Sequence, residues 1–161
     1  MPKSTRRGRS FGTGLGLCFL CWSLFSGANA QAQGIPLHDK LAQVAEESTL
    51  EITTLGRTGG KPRTKPIWFV YEQGHLYIQS GKEGKTHWYR NLQKDAQMWL
   101  KIAHLALTGK AKFIEDRAET ERVHTLFNSK YTFARFAGMV GSSIGQGKVV
   151  EVELLTEAEQ E

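Results

Sequence analysis

The 161-residue chain carries 21 Lys and Arg against 16 Asp and Glu, a formal charge of +5, with 40% hydrophobic residues and two cysteines. Four of the basic residues (Lys3, Arg6, Arg7, Arg9) lie among the first thirty, so the remainder balances 17 against 16, too even for a nucleic-acid-binding surface built on net charge. Cys18 and Cys21 lie there too, which excludes a disulfide, a cysteine nucleophile or a thiolate-held metal from everything downstream.

Behind the basic stretch, Leu15 to Phe25 is an apolar run that gives way to Ala28-Asn29-Ala30, the small-residue spacing of a signal-peptidase site. At about eleven residues the run is too short to cross a bilayer, which takes roughly twenty. Residues 1–30 therefore read as an export signal, with the mature protein beginning at Gln31, periplasmic or secreted, and without stable membrane insertion after cleavage. Arg6-Arg7 resembles a twin-arginine pair, but Arg9 stands where that signal carries an apolar residue, so the export route stays open.

Residues 31–49 read as a linker followed by a helix over Pro36 to Glu47, where Leu37, Leu41 and Val44 fall at helical spacing. Leu50 to Leu55 is β-branched and ends at Gly56, and Thr58-Gly59-Gly60-Lys61-Pro62 is turn chemistry. Pro66 to Glu72 and His75 to Gln79 flank Gln73-Gly74 as a hairpin. Thr86 is placed to cap a short helix through Leu92. Met98 to Ala103 and Leu105 to Ile114 read as strands that meet either near Thr108-Gly109 or at a bend by His104. Asp116 and Glu119 have the spacing of a capping box for a helix through Ser129. Tyr131 to Met139 reads as a further helix, and Val149 to Leu155 as a closing strand. Six strands with two or three helices predict an antiparallel α+β domain over residues 50–156, closed into a small barrel, with an acidic tail over 157–161. Trp99, in an alternating strand, is expected in the core.

Charge is unevenly placed. Eleven basic residues lie between Arg57 and Lys112, opposed only by Glu72, Glu83 and Asp95. They cluster in glycine-rich turns, whose backbone N–H groups can form an anion-binding concavity, next to aromatic strands that offer a flat ring a stacking surface. An anionic ligand carrying a ring is the expectation from the residues alone. The five histidines lack close metal-ligand spacing, and no metal is expected.

The run from Leu55 to Ile67 (Leu-Gly-Arg-Thr-Gly-Gly-Lys-Pro-Arg-Thr-Lys-Pro-Ile), with Trp88-Tyr-Arg-Asn-Leu92 about twenty residues on, resembles the deazaflavin-dependent nitroreductase family. That family belongs to the flavin/deazaflavin oxidoreductases, with a split β-barrel related to pyridoxamine phosphate oxidases. The resemblance runs from Leu50 to Leu155. It implies a small-molecule cofactor, deazaflavin coenzyme F-420 or FMN, whose phosphate-bearing tail is held by Arg57, Gly60, Lys61 and Arg63, with Ser80, Gly81 and Lys82 lining the same groove. Trp88 and Asn91 would shape the ring pocket. Trp68, Tyr131 and Phe133 would face the acceptor, a small quinone-like or nitroaromatic molecule. No catalytic side chain is singled out, because the cofactor carries the chemistry. The loop before Trp88 (Lys85-Thr86-His87) is shorter than the family's and lacks its proline, which leaves deazaflavin and FMN both open. Related barrels commonly pair, so a homodimer is also open. The alternative reading is a non-catalytic carrier or sensor of a flavin-type ligand, with haem, held by His87 or His104, as the lesser variant.

Overall fold

The computed structural model describes residues 35–132 and 144–155. The expected export signal, the acidic tail, most of the helix expected over Tyr131 to Met139, and Phe133 lie outside them.

α1 (Leu37–Gln43) precedes β1 (Leu50–Leu55), β2 (Pro62–Ile67), β3 (Phe69–Glu72) and β4 (His75–Ser80). A 3-10 turn (Lys82–Gly84) leads into α2 (His87–Lys94), followed by β5 (Gln97–Ile102), β6 (Leu105–Phe113), α3 (Arg117–Lys130) and β7 (Lys148–Leu154). The strands form one antiparallel sheet in the order β2-β1-β5-β6-β7-β4-β3.

There are thus seven strands where six were expected. The extra one is β2, whose residues Pro62-Arg-Thr-Lys-Pro66 carry no hydrophobic alternation and read as a continuation of the turn. Only Ile67 of this strand is buried. Two prolines are tolerated because β2 is an edge, paired on one side only, with β1. Trp68 then breaks the expected Pro66–Glu72 strand, and the chain passes from one edge of the sheet (β2) directly to the other (β3). The expected closed barrel is therefore open along this seam: the described ladder does not pair β2 with β3. The β5–β6 connection is the bend by His104, where Ala103 takes a positive φ of 50°.

Strand alternation divides the interior into two layers. Inward residues (Leu50, Ile52, Ile67, Phe69, Leu76, Ile78, Met98, Leu100, Ile102, Val150, Val152) pack together with Leu41 and Val44, and with Trp88, Tyr89 and Leu92 of α2. On the outer face, Val70, Tyr77 and Val149 receive Val123, Phe127 and Tyr131 from α3 and its C-cap, with Ile144. Burial on both faces makes the β4 run from Leu76 to Ser80 continuously buried.

α3 covers only the β3-β4-β7 part of the outer face. Among the described residues, nothing comparable lies over β2-β1-β5, where Trp99 is 38% exposed. This corrects the expectation of a core tryptophan: Met98, Leu100 and Ile102 point inward, so Gln97, Trp99 and Lys101 must point out.

Candidate functional site

The turn between β1 and β2 is built on backbone economy. Gly56 N donates to Lys61 O at 2.9 Å and Gly60 N to Gly56 O at 3.1 Å. Gly59 and Gly60 take φ of +77° and +59°, which other residues rarely adopt. Both of those bonded N–H groups are spent inside the turn, so the expected backbone concavity does not form from them. What the turn supplies is the placement of side chains.

Those side chains line a groove of about 400 Å³ between the β1–β2 hairpin and α2, bounded by Thr54, Gly56, Arg57, Thr58, Arg63, Lys65, His87, Trp88 and Asn91. Arg63 and Lys65 are two residues apart on one strand and therefore share a face. Neither they nor Arg57 enters a salt bridge among the described residues. At the floor, Asn91 Nδ2 donates to Thr54 Oγ1 at 3.0 Å, both residues being buried, and this bond ties α2 to β1. Lys94 Nζ donates to Arg57 O at 2.9 Å and braces the turn from the end of the same helix.

The residues singled out from sequence separate into three groups. Arg57, Arg63, Trp88 and Asn91 come together in the groove. Gly60 and Lys61 sit exposed on the turn and outside the lining. Ser80 and Gly81 also lie outside it: Ser80 Oγ donates to Gly81 O at 3.2 Å and shares a 2.6 Å bond with Thr86 Oγ1. That bond occupies the hydroxyl expected to cap α2, and Thr86 makes no side-chain cap. Lys82 belongs to the 3-10 turn, and its side chain is outside the described set.

Trp68 and Tyr131 meet each other rather than the groove, ring centroids 6.3 Å apart, in the layer beneath α3. The cause is alternation: Trp68 has opposite parity to Arg63 and Lys65, so it faces the other side of the sheet. The Tyr131 hydroxyl bonds Phe69 N (3.1 Å), Phe69 O (2.8 Å) and Ser48 O (2.9 Å), and burial pushes its pKa up to about 12. Thr54, Gly56, Thr58 and Lys65 were not singled out as site residues, and His87 was named only for the haem variant. Lys65 and Thr54 were reachable through alternation, had β2 been recognised as a strand.

A larger cavity of about 750 Å³ lies on the α3 side, lined by residues including Glu72, His75, Tyr77, Lys112, Glu119, Arg122 and Glu151. Its charges are already mated. Arg122 bridges Glu72 (2.7 Å) and Glu119 (2.8 Å) and donates to the Tyr77 hydroxyl, which donates to Glu119 at 3.0 Å. Glu151 takes both His75 (2.6 Å) and Lys112 (2.9 Å). The Arg122 hydrogen bonds hold the Glu119 carboxyl down at about 2. This network fastens α3 to the sheet, whereas the groove holds cations without counter-charges among the described residues.

Several solved structures share this architecture. An F420-H2 dependent reductase (FDR-A) is 24% identical, covering 66% of this chain and 95% of that one, with a TM-score of 0.51. A candidate pyridoxamine 5′-phosphate oxidase from Listeria innocua is 16% identical over 75% and 95%, TM-score 0.54. A candidate 5-nitroimidazole antibiotic resistance protein from Bacteroides thetaiotaomicron is 19% identical over 76% and 82%, TM-score 0.55. These likenesses establish the fold as the split barrel that the sequence resemblance implied. The model of one family, described as "Uncharacterized protein conserved in bacteria (DUF2255)", matches residues 40–150, from within α1 to within β7, and the chain belongs to that family.

Proposed function

We propose that this protein is an exported oxidoreductase that binds deazaflavin coenzyme F-420 or FMN in the groove between the β1–β2 hairpin and α2 and reduces a small quinone-like or nitroaromatic acceptor. The observation that carries the reading is the set of unmated cations, Arg57, Arg63 and Lys65, placed beside the Trp88 ring in one groove. Cations without counter-charges suit a phosphate, and Arg suits it with a fixed fork of donors. The reduced ring of such a cofactor supplies a hydride when bound. The protein's part is to anchor the tail with Arg57 and Arg63, to give the ring an aromatic wall at Trp88, and to hold that wall rigid through the Asn91–Thr54 bond. The solved structures named above, a deazaflavin-dependent reductase among them, support the reading at the level of fold.

A charge-assisted hydrogen bond contributes about 1.5–3 kcal/mol, so Arg63→Ala is expected to weaken cofactor binding roughly ten- to a hundredfold. Lys101→Ala, on the outer face, should leave binding unchanged. Fluorescence titration with each cofactor measures both, and equal effects would refute the groove assignment. Stopped-flow mixing with reduced cofactor should then show oxidation that accelerates with menadione or a nitroaromatic. Tight binding without acceptor-dependent oxidation assigns the groove to carriage instead. Export is tested by intact mass of the protein recovered from its own host, expected to begin at Gln31; a mass retaining residues 1–30 overturns it.

A further inference from the structure

Unmated cations are gathered on one side of the molecule. On the α3 side, Arg117 is paired with Glu121, Arg122 with Glu72 and Glu119, and Lys112 with Glu151. Around the groove, Arg57, Lys61, Arg63, Lys65, Arg90 and Lys94 stand together with no ion pair among the described residues. Lys61 lies on the β1–β2 turn, and Arg90 and Lys94 are one helical turn apart on the exposed side of α2. The bond from Lys94 to Arg57 O brings that side of the helix against the turn. All of the six are exposed except Arg57, which is half-buried. Acids are scarce here: Glu51 stands on the outer face of β1, and Asp95, at the C-cap of α2, spends an oxygen on Gln97 N at 3.1 Å. Lys61, Arg90 and Lys94 lie outside the groove lining, so a ligand confined to the groove leaves them without a partner.

Two observations narrow what this rim meets. The exposed large hydrophobic residues among the described ones are Ile35, Leu37 and Trp99, and none belongs to the rim. A protein interface is built around an apolar or aromatic centre depleted of charge, and the rim has the opposite composition. Residues 31–161 also balance almost to zero, because the cations between Arg57 and Lys112 are offset elsewhere, where thirteen acidic residues face six basic ones. A long polyanion that wraps the molecule meets both signs. A flat anionic surface meets the rim alone, since charges beyond about 10 Å are screened at 0.1 M salt.

We propose that this basic rim docks the protein reversibly on anionic phospholipid membranes, by attraction to the headgroups and without insertion. Each Lys or Arg near such a surface contributes about fivefold in binding, and a cluster of six is of the size that such docking uses. On the function proposed above, the groove opens within the rim and so faces the bilayer, in which apolar quinone-like acceptors dissolve. The docking itself rests on the charges and not on that function.

Co-sedimentation with vesicles tests this, on the form that begins at Gln31, so that the apolar run from Leu15 to Phe25 takes no part; every described element lies downstream of it. No cofactor is added, which keeps the result separate from the cofactor titration. The parent is expected to bind vesicles of phosphatidylcholine and phosphatidylglycerol in equal parts, and to ignore phosphatidylcholine alone, which carries phosphate without net charge. Raising the salt to about 1 M, where the Debye length falls to about 3 Å, should release it. Lys61→Glu with Arg90→Glu reverses two rim charges and should weaken binding at least about twentyfold. Lys101→Glu with Lys110→Glu makes the same change in net charge on the outer face of the sheet and should stay within about threefold of the parent. All four side chains are exposed, and thermal unfolding of both double variants checks that they fold. No adsorption to the mixed vesicles overturns the proposal and leaves the rim to an acidic protein. Equal binding to both kinds of vesicle, or equal losses in the two double variants, overturns it as well.

Discussion

One hydroxyl at Tyr131 touches the backbone at Phe69 twice and at Ser48 once, and so it ties the start of β3 and the chain before β1 to the end of α3. Tyr131→Phe leaves the buried Phe69 N–H without its acceptor. The expected cost is about 1–3 kcal/mol, read as a shift in denaturant midpoint at unchanged slope. A residue occupied only with an acceptor molecule would show no such loss. At this scale the sequence was informative about charge and poor about direction. Arg57 and Arg63 could be picked out because they stand in a cluster of basic residues in the glycine-rich turn that carries the family resemblance. Trp99 was misdirected, and Trp68 could not be assigned a face, because a large aromatic fits a core or a binding wall equally well and only strand parity decides which side it takes.

Elements formed where local chemistry was strong. β1 appears over the residues that its β-branched run marks, and α3 begins at Asp116, whose Oδ1 accepts from Glu119 N at 2.7 Å. The capping box is only half made, since the Glu119 carboxylate turns to Arg122 and Tyr77 instead. β2 was illegible because an edge strand with a polar composition has no hydrophobic period to read. The approach of β7 to β4 depends on Gly147, whose added Cβ would run into the Ser80 carbonyl oxygen. Gly147→Ala should therefore destabilise by about 1–3 kcal/mol, the usual cost of overpacking, and thermal unfolding measures it. Because the obstacle is backbone, the loss should exceed that for Gly59→Ala, where the space is open and only the positive φ opposes the change.

The whole molecule couples stability to pH through groups that link its layers. Lys130 Nζ is half-buried, donates to Ala45 O and Phe69 O, and stands 3.7 Å over the Phe69 ring. Burial lowers its pKa from 10.5 to about 8. Below pH 8 both folded and unfolded states carry the charge, and the cost of burying it is present in full. From about pH 8 to 10.5 the folded state gives up its proton first, so stability rises with pH in that window. Tyr77 and Tyr131, raised by burial from 10.0 to about 12, act in the opposite sense above pH 10. At the acid end Glu119, lowered from 4.5 to about 2, contributes stability that is lost as pH falls between those values. Denaturant midpoints across pH should show Lys130→Met flattening the rise from pH 8 to 10 while leaving the acid limb intact; an unchanged rise would remove Lys130 as its source.

The sequence by itself determined the class of fold, most of its elements, and the two arginines and the Trp-Tyr-x-Asn-Leu helix that build the groove. The class of fold and its elements rest on spacing and residue chemistry within a few positions; the arginines and that helix were marked by the resemblance of their motifs to a known family. The tertiary structure alone decided that Gly60 and Ser80 spend their polar groups internally, that among the described residues the charges of the α3 network are mated while those of the groove are not, and that Trp99 faces outward on a half-sheet that no other described element covers. Those facts depend on which strand lies beside which, and on what covers each face. Strand pairing over long separations is set by the packing of the whole domain, and local sequence does not encode it.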